Sequence, residues 1–170
     1  MRTLTSLTLA GACALAAACG GGGTGDDDDD TAPDAAVAAG TGTATLTFGV
    51  TNGVRQNPTL SDPLIGAVYG NVFLAEDVTL TGPTDDAMEF GEVELLAVDL
   101  EANTESAPWT TPELAPGTYV FLGFFDVDAN GDVTREPDPG DPVTLPVSNQ
   151  FEIVVDQDAE LAAVFDLVYN

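Results

Sequence analysis

The sequence has no histidine and no lysine; its only cations are Arg2, Arg55 and Arg135. Without imidazole, no Ser-His-Asp or Cys-His nucleophile can be assembled, and the commonest metal ligand is missing. Both cysteines, Cys13 and Cys19, lie near the N-terminus. The rest of the chain therefore has no thiol, disulfide or redox chemistry. No Gly-rich phosphate motif follows a strand and opens a helix, and Gly20–Gly23 reads as tether rather than as a P-loop. Against the three arginines stand 29 acidic residues, for a formal net charge of −26. Such a surface repels phosphate backbones and anionic headgroups, which excludes nucleic acid as a partner. It attracts cations and keeps the chain soluble.

What is present begins with an address. Residues 1–18 carry one positive charge at Arg2, an apolar stretch from Leu7, and small residues before a cysteine. This is the layout of a secretory signal, too short for a membrane span. The segment resembles the signal of bacterial lipoproteins, with Leu15-Ala16-Ala17-Ala18-Cys19 as the lipobox. Leu9-Ala10-Gly11-Ala12-Cys13 is the weaker alternative, since cleavage there leaves an apolar stub. In both, the leucine sits four residues before the cysteine, where the family prefers three; ordinary signal cleavage without lipid is the competing reading. The resemblance implies that Cys19 is acylated and becomes the first residue, anchoring the protein in a membrane. Gly20 lacks the aspartate that marks inner-membrane retention, so the outer membrane, facing periplasm or cell surface, is the expected location. Residues 19–42 are rich in Gly and Asp and poor in large apolar groups, which predicts a disordered tether. As a coil its ends lie roughly 25 Å apart, and its full reach is about 75 Å. Asp26–Asp30 repel one another and favour the extended end; a loose cation-binding or sorting patch is the alternative for that run.

From Thr43 the pattern becomes that of strands. Residues 43–50 alternate strictly, with Ala44, Leu46, Phe48 and Val50 on one face. Residues 64–75 are apolar and β-branched, and Gly66 and Gly70 inside them predict a bulge or close backbone approach. Residues 76–82 either continue that strand or return as a hairpin. Residues 93–100 fit both a helical and a strand period and are taken as strand. Residues 118–127, apolar on both faces, predict a central strand. Residues 142–148, 150–155 and 159–168 complete the set, with Leu161, Ala163, Phe165 and Leu167 expected to point inward. Turn signals separate these runs at Asn52-Gly53, Gly82-Pro83, Pro116-Gly117, Asn130-Gly131 and Pro139-Gly140. The expected fold is all-β: an antiparallel β-sandwich of seven or eight strands spanning 43–170.

Leu114-Ala115-Pro116-Gly117-Thr118-Tyr119 resembles the L-x-P-G-x-Y lead-in to a core strand of prealbumin-like and carboxypeptidase-regulatory-like bacterial sandwich domains. The resemblance implies that Tyr119 packs inward, its hydroxyl bonded near the corner. Such modules often follow that strand with D-x-[DN]-x-[DN]-G and a later D-P-G-[DE]-P. Here these are Asp126–Gly131 and Asp138–Pro142, separated by a longer gap than is usual.

The stretch 126–141 is the one with chemistry in it. Hard cations such as calcium take six to eight oxygens. Asp126, Asp128 and Asn130 alternate, Gly131 is expected to allow the sharp turn, and Asp132 offers a carbonyl. This copies the first half of an EF-hand loop. The second half fails, because position twelve is Pro137 and the flanks are not helical. A strand-flanked calcium loop, closed by Glu136, Asp138 or Asp141, is the expectation. Six carboxylates on one loop (Asp126, Asp128, Asp132, Glu136, Asp138, Asp141) face a single Arg135 and repel unless a cation bridges them. The alternative is an ion-free hairpin connection, since Asp, Asn and Gly are natural turn residues. Trp109, within Ala107–Pro112, is either an anchor against the sandwich or a surface for a glycan or protein. With so many acids some pairing is inevitable, and the domain is small for a substrate cleft, so no enzymatic activity is expected. The expected role is a structural or adhesion module of the envelope.

Overall fold

Alternation builds the first strand, β1 (Thr43–Val50), with Ala44, Leu46 and Phe48 fully enclosed and the threonines outward. The structure, a computed structural model, describes residues 40–60 and 63–170, without the side chains of Asp132 and Val133. The signal, Cys19 and the Asp run lie outside the described residues. The last three tether residues do not: Gly42 exchanges two backbone hydrogen bonds of 2.9 Å with Leu114, so the fold begins before the first strand.

The remaining elements are α1 (Asn52–Arg55), β2 (Ile65–Leu74), β3 (Val78–Thr79), β4 (Gly82–Pro83), β5 (Gly91–Asp99), β6 (Trp109–Thr110), β7 (Gly117–Asp126), α2 (Gly131–Thr134), β8 (Pro142–Thr144), β9 (Gln150–Ile153) and β10 (Asp158–Val168). Both helices are single turns; the Asn52-Gly53 turn signal falls in α1, where the Thr51 hydroxyl accepts the Val54 N–H at 3.3 Å. The fold is all-β, as expected. One sheet runs β5–β2–β7–β8–β10–β1–β6, with β9 also on β7, and β3–β4 form a separate hairpin. Every pairing is antiparallel except β1 with β10, which run parallel from Thr43↔Asp158 to Val50↔Phe165.

The sheet curls around one core, to which β1, β2, β5, β7, β9 and β10 all contribute. Its two end strands approach through a side chain. The indole of Trp109 on β6 lies over Gly91 of β5, where a Cβ would come within 3.0 Å of the ring. The arrangement is nearly a barrel. Tyr119 is buried in the core, and its hydroxyl donates to the Ala115 carbonyl at 3.0 Å. Burial also pushes its phenol pKa up. β2 and β7 are covered on both faces, the second by a smaller cluster of Ala67, Tyr69 and Phe124 with Val143 against it. The two-sided apolar run of residues 118–127 reflects that central place.

Three departures from simple alternation have identifiable causes. At Ala97, φ is 57°, and the β2–β5 register slips opposite Gly66–Val68. The slip moves the inward set from Val93 to Val98 and Leu100, which is why residues 93–100 look half helical. In β10 the register shifts between Phe165 and Leu167. Ala163 and Phe165 point inward as expected, but Leu167 turns outward, 49% exposed, and Val168 is buried instead. The expected strand over 142–148 ends at Thr144, and a tight turn, Pro146–Ser148, separates β8 from β9.

Asn149 closes that gap. It is wholly buried. Its amide donates to the carbonyls of Leu145 (2.9 Å) and Val164 (3.1 Å) and accepts the Val164 N–H (2.7 Å). Its own carbonyl takes the Phe121 N–H at 3.0 Å. A side-chain amide thus replaces the missing peptide pairing between β7 and β10.

Candidate metal centre

Asp126 ends β7 on the face away from the main core, one position beyond Phe125, and is only 1% exposed. The chain passes close by: Gly66 of β2 lies so near the Asp126 carbonyl that any Cβ there would collide with it. One Asp126 oxygen accepts the N–H groups of Ala129 (2.9 Å) and Asn130 (3.3 Å), and the other accepts that of Gly131 (3.1 Å). The carboxylate therefore gathers three successive backbone donors and folds the loop over itself. The turn residue is not Gly131 but Ala129, at φ 62°. Gly131 is needed for space, since a Cβ there would sit 2.9 Å from the Phe124 ring and 3.2 Å from the Asp126 carboxylate.

Asp141, the last acid of the loop, is completely buried. It accepts the N–H groups of Val127 (3.2 Å) and Asp138 (3.1 Å), so it staples both ends of the loop. Backbone bonds from Tyr169 to Asp141 (2.8 Å) and from Gly140 to Tyr169 (2.9 Å) hold it to the C-terminus. Burial pushes the Asp141 carboxyl up to about 6, with the Asp138 and Asp126 charges adding and the two N–H bonds opposing. Asp128 is exposed, and its carboxyl is also raised, by desolvation first and then by Asp138 and Asp126.

Asp126, Asp128 and Asp141 each bring a carboxylate oxygen within 4.8 Å of the others. Oxygens on opposite sides of a calcium ion, each at 2.3–2.6 Å, stand about 5 Å apart, so a single hard cation spans this set. Of the other expected ligands, Asp138 lies beside them, joined to Asp128 through Asn130. Asn130 itself points its amide nitrogen, not its oxygen, at Asp128 (2.9 Å) and Asp138. It is a donor between two carboxylates. The side chain of Asp132 lies outside the described residues, and Glu136 is exposed and apart from the cluster.

Arg135 does not neutralise this group. Set at φ 56° after α2, it reaches across the sheet to Glu94 (2.9 Å) and Glu92 (3.8 Å) on β5 and lies 4.6 Å over the Tyr69 ring. Its pairing with Glu94 raises its own pKa further. Sequence reasoning set it against the loop acids. Nothing in the spacing signals the partner on β5, 41 residues away. Trp109 is half-buried against the core, in the anchoring position.

The fold and site together define an all-β domain with three acidic side chains gathered in a loop at the end of its central strand. No protein-family model, no curated protein and no solved structure matches the chain.

Proposed function

We propose that this chain is a lipid-anchored module of the bacterial cell envelope with a structural or adhesion role, its 126–141 loop stiffened by calcium. The observation that carries the reading is the meeting of Asp126, Asp128 and Asp141 within 4.8 Å, with Arg135 engaged elsewhere. Two of the three are buried carboxylates, and a buried charge without a counter-charge is costly. A divalent ion converts that cost into binding energy. Extracellular modules hold calcium at about 0.1–1 mM, a range an exported protein meets. Cys19, at the head of an acidic tether, supplies the anchor in this reading, with the outer membrane as its site. The curled sheet is read as a prealbumin-like sandwich of seven or eight strands, a reading favoured by the Tyr119 corner and the single core shared by nearly all strands. Among the described residues no helix is long and apolar enough to cross a membrane.

The test is thermal unfolding of the exported protein in calcium and in chelator. At tenfold excess over Kd, binding to the folded state adds about 1.4 kcal/mol, a rise of roughly 5 °C for a domain of this size. An unchanged midpoint at millimolar calcium refutes the calcium part. Mass spectrometry of the native N-terminus tests the anchor separately: acylated Cys19 is expected, and an intact, unmodified Met1 refutes it.

A further inference from the structure

The two ends of the sheet are finished differently. The side of β1 away from β10 is covered by the chain around β6. There the N–H groups of Ser106 and Thr111 go to the carbonyls of Phe48 (2.8 Å) and Ala44 (2.9 Å). Their hydroxyls accept the N–H groups of the same two residues, at 3.1 and 2.9 Å. The other end strand, β5, has β2 as its only sheet neighbour among the described residues. Its register with β2 runs unbroken from Gly91 to Leu95, so its outer backbone row is regular over that stretch and carries no described strand. Between Leu95–Asp99 and residues 103–107 lies a crevice of about 370 Å³.

Long exposed edges are blunted in most folds by lysines, bulges or short strands. This chain has no lysine. Its guard is a bulge at Ala97 and a row of acids: Glu92 and Glu94 on β5, Asp99 at its end, and Glu101 and Glu105 beyond it. Asp99 and Glu105 line the crevice, and no cation lines it. Arg135 lies against Glu92 and Glu94, and Arg55 reaches the Asn103 carbonyl at 3.4 Å, so acids outnumber cations along the edge. These acids set like charge against a second copy of β5. They favour a strand that bears Lys or Arg. Leu96, 64% exposed beside the bulge, offers that strand an apolar contact. We propose that β5 is the docking edge for an extended, cationic segment of another protein, which pairs with the Glu92–Leu95 backbone and sets Lys or Arg side chains against Asp99 and Glu105. Backbone pairing supplies the affinity, and the acids select the partner. This edge goes beyond the calcium reading and does not depend on it.

Calorimetric titration and amide hydrogen exchange of the full chain test this with three short capped peptides. One alternates Lys with Val and Thr; one has Glu in place of Lys; the third is the Lys peptide N-methylated throughout, which keeps its charge but cannot donate to a neighbouring strand. At low salt the Lys peptide is expected to bind with a Kd on the order of 100 µM or below. It should slow exchange within residues 91–99. The Glu peptide and the N-methylated peptide are expected not to bind measurably. Glu105→Lys and Leu96→Lys, both at exposed positions of the crevice, should each weaken the Lys peptide about tenfold. Glu160→Lys places a lysine on β10, which is separated from β5 by β1 and β6 on one side and by β2, β7 and β8 on the other. It should leave affinity within about twofold. Circular dichroism verifies that the variants fold. Equal binding of the N-methylated peptide would mean attraction to an acidic surface without strand pairing, and it overturns the proposal. So does equal binding of the Glu peptide, protection that spares residues 91–99, affinity unchanged in both crevice variants, equal weakening by Glu160→Lys, or no Lys-peptide binding at millimolar concentration.

Discussion

At two places the strand ladder is interrupted and a buried polar side chain takes over backbone hydrogen bonding: Asn149 between β8 and β9, and the pair Asp126 and Asp141 beyond β7. The two solutions differ in one respect. An amide offers both donor and acceptor, so Asn149 answers two carbonyls and one N–H and leaves nothing over. A carboxylate only accepts. Asp126 and Asp141 satisfy five backbone N–H groups between them, which closes the loop, but their charge stays in place. The first junction is complete in itself. The second is complete in hydrogen bonds but has no cationic partner of its own, and burial raises the Asp141 carboxyl to about 6, which favours a proton or a cation there.

Removing the amide should have the largest effect. Asn149→Leu leaves the N–H and carbonyl of Val164 without partners, while the Leu145 carbonyl keeps the Ser148 N–H at 3.3 Å. At about 1–1.5 kcal/mol each, the loss is about 2–3 kcal/mol, read as the midpoint of urea unfolding. That loss should be the same with calcium and with chelator. A calcium-dependent loss would break the contrast, because it would couple the two junctions.

Next in size is the cation itself. Asp128→Ala removes one exposed member of the acidic triad without touching a buried hydrogen bond of the fold. The variant should unfold at nearly the wild-type temperature in chelator and lose most of the roughly 5 °C gained in calcium. If the full gain survives, Asp128 is not a ligand.

How much of this contrast could be read in advance depends on where the information resides. The strands of residues 43–50 and 118–127 were legible because alternation and two-sided burial leave marks in sequence, and the Tyr119 corner because its motif is local. The acidic loop was legible as a cluster, since Asp126, Asp128 and Asp141 are close along the chain. The inversion of Asn130 and the shift of the left-handed residue to Ala129 were not, because both are set by which backbone N–H groups Asp126 captures. Leu167 was misplaced because a bulge reverses parity without changing composition. Asn149 carried no signal at all. An asparagine beside a proline-containing turn reads as loop, and its partner Val164 lies 15 residues on. Long-range polar pairings of this kind depend on strand order, which periodicity does not encode.

Proton uptake offers a smaller test. Asp141 has its pKa raised to about 6 in the folded domain, against 3.8 for a free side chain. The folded state therefore binds more protons than the unfolded state between these values. Stability from this group is fully present below pH 4 and is lost as pH rises through about 6. In chelator, wild-type stability should rise by about 1 kcal/mol between pH 7 and pH 5, and Asp141→Asn should flatten that slope. Calcium should flatten it as well, since a bound cation favours the ionised form. A slope in calcium as steep as in chelator would separate Asp141 from the ion.

The smallest effect belongs to Arg135, and it bears on why the loop stays charged. Its guanidinium joins the loop to Glu94, Glu92 and the Tyr69 ring, away from the acidic triad. The two glutamates are exposed, so the ion pairs are screened and contribute little to stability. Arg135→Gln should lower the chelator midpoint only slightly, and that loss should shrink further in high salt. Calcium affinity should hardly change, because the lost charge faces β5 rather than the site. A marked gain in calcium affinity would mean that Arg135 reaches the carboxylates after all and that the second junction carries its own counter-charge.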